Sequence, residues 1–178
     1  MPANSLANRM GVFVELSEAT KGNLGRTTLM KLCYFLQALR DVPLGYKFTL
    51  YSYGPFDSDV LADLQTAETM GVLSADVEYY SGGYKYDIQP DEKAGRAKEL
   101  AKEFLTEHKR DIEWVTKKFG NRTATDLELL STIVYINEEH KIKDRKVLGE
   151  RVKLVKPHFS ESQIERQIQF LDDDGLLN

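Results

Sequence analysis

Few residues of this sequence carry the side chains that most often do chemistry, and those few lie far apart. The histidines are His108, His140 and His158, and the one cysteine is Cys33. A zinc site needs several such ligands at short spacings, which these positions do not provide. His108 falls on an apolar stripe, where a structural histidine is the better interpretation. The sequence therefore predicts no metal ion and no other cofactor.

Signatures of covalent catalysis and of phosphate binding are absent as well. Cys33 stands between apolar neighbours that supply no base, which favours a core position over a nucleophile. Gly82-Gly83 lies in a predicted hairpin and not in a loop before a helix, where glycines hold phosphate. The acidic run Asp172-Asp173-Asp174 lacks the spaced ligands of a calcium loop. We therefore expect no catalytic residues and no enzyme.

The composition is that of a globular chain with a modest acidic excess. At 178 residues it has the length of one domain or of two small interlocked halves. The net charge of −4 argues against a protein whose main task is to coat nucleic acid. The sequence shows no secretory signal and no apolar stretch long enough to cross a bilayer. It predicts a cytoplasmic protein with no membrane partner.

Residues 1–90 predict a winged-helix-like module. Two helices come first, and the second is apolar on most of its circumference, which is typical of a buried helix. A strand then ends at Gly54-Pro55, because proline cannot donate to a strand ladder. A third helix and a hairpin around Ser81-Gly82-Gly83 follow. The strands are expected at residues 47–53, 77–80 and 84–88, and the third helix is expected at residues 57–71. The three strands predict a small three-stranded antiparallel sheet.

Residues 91–178 predict a helical half that packs on this module to form one compact unit. Thr125 and Glu128 stand three residues apart, as in a capping box, in front of a nearly all-apolar helix. Ser160 and Gln163 form the same pattern before the last helix. The expected fold class is α+β and mostly helical.

The charges of the predicted helices bear on DNA binding. The recognition helix of a DNA-binding winged helix carries Arg, Lys, Asn or Gln toward phosphates and bases. The helix over residues 57–71 instead has four acidic residues and no Lys or Arg. The last helix has five acidic residues against Arg166 alone. Both would repel a phosphate backbone, so we expect a solvated acidic face or a surface for a basic partner.

One basic segment keeps nucleic acid as an alternative partner. Residues 141–156 contain seven cations and two acids. On a helix, four of these cations fall within an arc of about 100° opposite the apolar residues. They are Arg145, Lys146, Lys153 and Lys156. The pattern predicts a patch for nucleic acid or an acidic protein, although a solvated outer face has the same pattern.

The hairpin and the glycine-proline corner predict the other surface. Tyrosines cluster around the hairpin tip, where they are typical both of interface anchors and of ordinary strands, and we weigh the two equally. We expect a partner to contact this hairpin, the corner and the start of the acidic third helix. The predicted partner-binding residues are Tyr53, Gly54, Pro55, Phe56, Asp57, Asp59, Tyr79, Tyr80, Tyr84 and Tyr86.

Several stretches carry a family resemblance over most of the chain. They are Lys31-Leu32-Cys33-Tyr34-Phe35-Leu36, Tyr53-Gly54-Pro55-Phe56, Gly71-Val72-Leu73 and Glu128-Leu129-Leu130-Ser131-Thr132-Ile133. This pattern resembles the YwgA-like proteins and the broader Panacea domain group, which includes SocA-like antitoxins. The resemblance implies a small, mostly helical, cytoplasmic protein of bacteria, archaea or phages without known catalytic residues. It also implies a protein partner. The chain would either bind a toxin as an antitoxin does, or act as an adaptor that delivers the toxin to a protease. The charged segment over residues 91–118 departs from the family pattern.

These observations predict a non-enzymatic protein-interaction module that is antitoxin-like or adaptor-like. The alternative is a winged-helix regulator that binds DNA through the helix over residues 141–156. The sequence leaves the identity of the partner and the oligomeric state open.

Overall fold

The computed structural model describes residues 5–178, and most of these residues are helical. The helices are α1 (Leu6–Thr20), α2 (Arg26–Arg40), α3 (Ser58–Thr69), α4 (Ala94–Leu100), α5 (Lys102–Glu107), α6 (Lys109–Phe119), α7 (Ala124–His140), α8 (Arg145–Val155) and α9 (Glu161–Asp173). The strands are β1 (Thr49–Tyr51), β2 (Gly54–Phe56), β3 (Leu73–Tyr80) and β4 (Gly83–Pro90). The prediction of a mostly helical chain is confirmed. None of the helices within residues 5–178 is long and apolar enough to cross a membrane.

The strands form two separate antiparallel pairs instead of the predicted three-stranded sheet. β1 pairs with β2, and β3 pairs with β4. The chain turns back directly after Tyr51, so that Tyr51 faces Gly54 and Leu50 faces Pro55. The strand expected over residues 47–53 is therefore shorter than predicted. The Gly54-Pro55 corner belongs to β2, which is the partner strand of β1. The predicted hairpin at Ser81-Gly82 is present, with Tyr80 opposite Gly83.

The chain divides into two compact units, and the division along the sequence does not fall at residue 90. The first unit contains the residues up to Lys47 together with Asp57–Arg122. The second unit contains Phe48–Phe56 and Thr123–Asn178. The β1–β2 hairpin thus belongs with the C-terminal helices, although the chain segments on both sides of it belong to the first unit.

Helix α2 forms the centre of the first unit, as its apolar circumference predicts. Leu29, Leu32 and Phe35 are fully buried. The ring of Phe35 stacks on that of Phe119 in α6, with 4.1 Å between their centroids. The helix ends at Arg40, and the C-cap residue Asp41 has a left-handed φ of 54°.

The charged segment after Pro90 forms the three short helices α4, α5 and α6. Its first break falls at Ala101, which is buried. Gly11 of α1 lies against this position, and a Cβ on Gly11 would come within 2.4 Å of the Ala101 Cβ. The break therefore accompanies a close approach of the chain to α1, which no local pattern in the charged segment indicates.

The second unit packs α7, α8 and α9 around an apolar core. Leu130 and Ile133 of α7, Leu148 of α8 and Leu171 of α9 are buried. The predicted capping box of α9 is confirmed, since the Ser160 hydroxyl accepts from the Gln163 N–H and the Gln163 side chain accepts from the Ser160 N–H. The capping box predicted for Thr125 and Glu128 is wrong. Thr123 caps α7 instead, and accepts from the Asp126 N–H at 3.1 Å.

Candidate interaction surfaces

The β3–β4 hairpin presents aromatic side chains to solvent on one of its faces. Val77 is opposite Tyr86 and Tyr79 is opposite Tyr84, so these four side chains lie on the same face of the pleated pair. Tyr79 is 82% exposed, Tyr84 58% and Val77 40%. The ring centroids of Tyr79 and Tyr84 are 6.4 Å apart, and those of Tyr84 and Tyr86 are 5.4 Å apart with an edge-on geometry. We call Val77, Tyr79, Tyr84 and Tyr86 the tyrosine face.

The base of this hairpin is fixed to the first unit. Ile88 is buried, and its N–H donates to the Leu24 carbonyl at 2.9 Å. The Arg26 guanidinium lies 4.0 Å from the centre of the Tyr86 ring, within the range of a cation–π contact. The Lys85 ammonium donates to the Gly22 carbonyl at 2.9 Å. The tyrosine face therefore lies on a hairpin whose base is fixed by contacts with the rest of the first unit.

Tyr80 lies apart from the other hairpin tyrosines. It is exposed and opposite Gly83 in the register, on the other face from Tyr79. Its ring covers Gly82, where a Cβ would come within 2.9 Å of the ring. The structure thus brings together three of the four predicted hairpin tyrosines, and gives Tyr80 a contact with the hairpin turn.

The acidic residues at the start of α3 have different environments. Asp57 caps the helix, and its carboxylate accepts from the Asp59 N–H at 2.9 Å and from the Lys47 N–H at 2.5 Å. Asp59 is exposed in the first turn, where the helix dipole favours a carboxylate. Asp57 therefore has a structural role, and Asp59 presents its charge to solvent.

A buried polar cluster lies further along α3. The Asp63 carboxylate accepts from the Arg9 Nε at 2.6 Å and from the Tyr46 hydroxyl at 2.8 Å. Burial raises the pKa of Tyr46, and the nearby Cys33 and Asp63 raise it further. Burial also raises the pKa of the Cys33 thiol above its usual range. Both groups are therefore neutral near pH 7, and the core position predicted for Cys33 is confirmed.

The Gly-Pro corner packs closely against α7 in the second unit. Gly54 has a φ of +90°, which favours glycine. A Cβ at this position would lie 3.0 Å from the Ser131 Oγ and 3.1 Å from the Thr132 Oγ1. Pro55 is buried, whereas Tyr53 is 73% exposed. Gly54 thus permits a close approach of the hairpin to the helix, and Tyr53 is the corner residue that a partner can reach.

Lys156 and Glu128 form a buried ion pair beside this corner. Lys156 is only 2% exposed, and its Nζ lies 2.8 Å from the Glu128 Oε1. The same ammonium donates to the Ser52 carbonyl in the β1–β2 turn. His158 Nε2 is 3.4 Å from the same Glu128 oxygen. The pair therefore links α7, the end of α8 and the turn before Gly54.

The predicted basic patch does not form as a continuous surface. Lys156 is buried, so its assignment to an exposed patch is wrong. Arg145 pairs with Asp172 at 2.6 Å. The Lys153 ammonium donates to the carbonyls of Pro157 and Phe159 at 2.9 and 2.6 Å. Of the four predicted patch residues, Lys146 is the one that is exposed.

Two of the three histidines have aromatic neighbours. The ring of His108 lies 4.5 Å from that of Phe104, and that of His158 lies 4.3 Å from that of Phe159. Within residues 5–178, no three or more His, Cys, Asp or Glu side chains are grouped as a metal ion would need.

The predicted partner-binding residues fall into two sets. Residues 53–56 belong to the second unit, whereas Asp57, Asp59 and the hairpin tyrosines belong to the first. No protein-family model matches the chain, and no curated protein is similar to it.

Proposed function

We propose that this chain is a protein-interaction module that holds a protein partner on its tyrosine face. The observation that carries the proposal is the cluster of exposed, mutually contacting tyrosine rings on an anchored hairpin. Tyrosine combines a large apolar area with a polar hydroxyl, and it is enriched among the residues that dominate binding free energies.

The geometry of the rings favours tight binding. Tyr84 contacts both Tyr79 and Tyr86, and Tyr86 contacts Arg26. Side chains that are already ordered lose less conformational entropy when a partner binds. The tyrosine face therefore supports an interaction better than isolated exposed side chains would.

The kind of partner follows from the family resemblance. We propose that the chain acts like an antitoxin, or like an adaptor that delivers its partner to a protease. The winged-helix-like arrangement of residues 1–90, the absence of catalysis and the cytoplasmic location belong to the same proposal. DNA binding through the helix over residues 141–156 is the weaker alternative, because three of the four cations of the predicted patch make contacts within the chain.

Affinity purification from the cells that naturally produce the chain tests this proposal. The wild-type chain is compared with the Tyr79→Ser/Tyr84→Ser double variant. We expect one protein to copurify in a fixed ratio with the wild type and to be lost with the double variant. A partner that copurifies equally with both would contradict the role of the tyrosine face.

Two further variants serve as controls. Met70→Ser changes a residue of the first unit that is about half exposed and lies outside the tyrosine face. It should leave copurification unchanged. Tyr53→Ser tests the corner separately, and a loss of the partner in this variant alone would move the binding site to the second unit.

A further inference from the structure

A second surface lies in the second unit, where α8 and α9 enclose an open groove of about 820 Å³. Arg145 at the start of α8 bonds to Asp172 near the end of α9, so the two helices run antiparallel. The groove is lined by apolar residues at Gly149, Ile164 and Ile168. Leu154, which also lines it, is 80% exposed. Its lining residues belong to the second unit, whereas the tyrosine face belongs to the first.

Gly149 leaves the floor of the groove open. It lies inside α8, where glycine is unfavourable compared with alanine. A Cβ at this position would lie 3.6 Å from the Ile168 Cδ1 and 3.9 Å from the Ile164 Cγ2, which are ordinary van der Waals contacts. Packing within the chain therefore does not require glycine here. Its effect is to leave a notch above two isoleucines.

The charges that line the groove leave a negative excess. Arg145 and Asp172 neutralise each other. Lys153 donates to two carbonyl groups, which are neutral, so it keeps its positive charge. Three other carboxylates line the groove and make no ion pair within residues 5–178. They are Glu150, Glu161 and Glu165. The lining cations Lys146 and Lys153 make no ion pair within the same residues either. The groups without a counter-ion are thus three anions and two cations around an apolar floor, an excess of one negative charge.

We propose that this groove binds an amphipathic helix of a partner protein that carries Arg or Lys beside its apolar stripe. Two antiparallel helices offer the groove into which the side-chain ridges of a third helix pack. An apolar side chain of the partner enters the notch at Gly149, and its cations approach Glu150, Glu161 and Glu165. Nucleic acid does not fit, because these carboxylates repel phosphates.

The probes are two synthetic amphipathic peptides of about 15 residues, the length at which isolated helices begin to form. Both carry the same leucine stripe; one has Arg and Lys beside it and the other has Glu. Each is titrated into the isotopically labelled full chain and followed by NMR. We expect the basic peptide to shift the Gly149 amide and the Ile164 and Ile168 methyl signals. We also expect it to bind at least about tenfold more tightly than the acidic peptide.

Three variants separate docking from general attraction between opposite charges. Gly149→Met fills the notch and should abolish the shifts, while the better helix former keeps or raises the melting temperature. Glu165→Lys should weaken binding of the basic peptide at least about fivefold. Glu139→Lys makes the same charge change on an exposed residue of α7 that does not line the groove, and should leave the affinity unchanged.

Several outcomes would overturn the proposal. They are equal affinity for the two peptides, shifts that lie outside the groove, full binding to Gly149→Met, and equal weakening by Glu165→Lys and Glu139→Lys. The tyrosine-face variant Tyr79→Ser/Tyr84→Ser should bind the basic peptide like the wild type. The groove and the proposed function can therefore fail independently.

Discussion

At the scale of single residues, Lys156 and Glu128 form a buried ion pair in the second unit. Both side chains are almost fully buried, with 2.8 Å between Nζ and Oε1. Breaking a buried pair leaves a charge without a partner in a medium of low dielectric constant, which costs more than the pair itself contributes.

Replacing Lys156 with methionine should therefore lower the free energy of unfolding by about 3–5 kcal/mol. Urea denaturation followed by circular dichroism measures this change. Lys146→Met, on an exposed side chain of the same unit, should stay within about 0.5 kcal/mol of the wild type. Combining Lys156→Met with Glu128→Leu should restore part of the loss. Equal effects of the two single lysine variants would show that Lys156 is not buried and paired.

The pKa of Cys33 gives a second prediction at this scale. The folded chain keeps the thiol proton that the unfolded chain loses above about pH 8.5. The unfolded state then binds fewer protons than the folded state, so the free energy of unfolding falls as the pH rises. Tyr46 lowers the free energy of unfolding in the same way as the pH rises above about 10.

We expect the contribution of Cys33 to the free energy of unfolding to fall by about 2 kcal/mol between about pH 8 and pH 10. Urea denaturation across this range measures the slope. Cys33→Ala should be less stable at every pH, because it leaves a cavity, but its slope should be smaller. The same slope in both proteins would contradict a buried neutral thiol.

Residue types predicted some of these environments and not others. An apolar neighbourhood was enough to place Cys33 in the core. Glu128 was predicted as a helix cap, because it stands three residues after Thr125. Its actual partner is 28 residues away. A carboxylate between Leu127 and Leu129 in an apolar helix is the signal that could have indicated a buried charge, but no local pattern names the lysine.

At the scale of elements, the β1–β2 hairpin depends on how closely it approaches α7. Gly54 has two separate reasons to be glycine, since its φ is positive and the hydroxyls of Ser131 and Thr132 lie near the missing Cβ. Gly175 is a matched comparison in the same unit. Its φ is +66°, and a Cβ there would meet no atom within 4 Å.

Gly175→Ala should therefore lower the free energy of unfolding by about 1 kcal/mol, through backbone strain alone. Gly54→Ala should cost at least about 1 kcal/mol more, because the side chain must also displace its neighbours on α7. Thermal and urea denaturation of both variants measure the difference. Equal costs would mean that the hairpin does not pack closely on the helix.

The helices were the elements that the sequence predicted best. Apolar periodicity located α2 and α7, and Ser160 with Gln163 located the start of α9. Sequence patterns do not predict the β1–β2 hairpin, because the proline at position 55 is typical of the end of a strand. Opposite Leu50, in a two-stranded ladder, proline occupies an edge position, where a missing N–H is tolerated.

At the scale of the whole molecule, the second unit takes one of its parts from the middle of the N-terminal half. Residues 48–56 contribute the hairpin that packs on α7 and accepts a hydrogen bond from Lys156. Sequence patterns are local and do not show that this segment leaves the unit of its neighbours. The boundary predicted at residue 90 followed the change in composition instead.

A fragment of residues 123–178 should therefore unfold with little cooperativity, because it lacks the hairpin. Joining residues 48–56 to its N-terminus through a flexible linker should restore a cooperative transition. Circular dichroism during heating compares the two fragments. A sharp transition in the fragment without the hairpin would show that residues 48–56 are dispensable for the second unit.

The tyrosine face is the feature on which the proposed function rests. Tyr79 and Tyr84 make few contacts with the core, so their replacement should cost the fold no more than about 1 kcal/mol. Residues that dominate an interface, by contrast, each contribute at least about 2 kcal/mol to binding. Stability and binding should therefore separate in the Tyr79→Ser/Tyr84→Ser variant.

Calorimetric titration of the copurified partner into the wild type and this double variant is the most direct measurement. The proposal predicts that the dissociation constant rises at least about 30-fold in the double variant, while the melting temperature changes little. Dissociation constants within about twofold of each other would contradict binding through the tyrosine face.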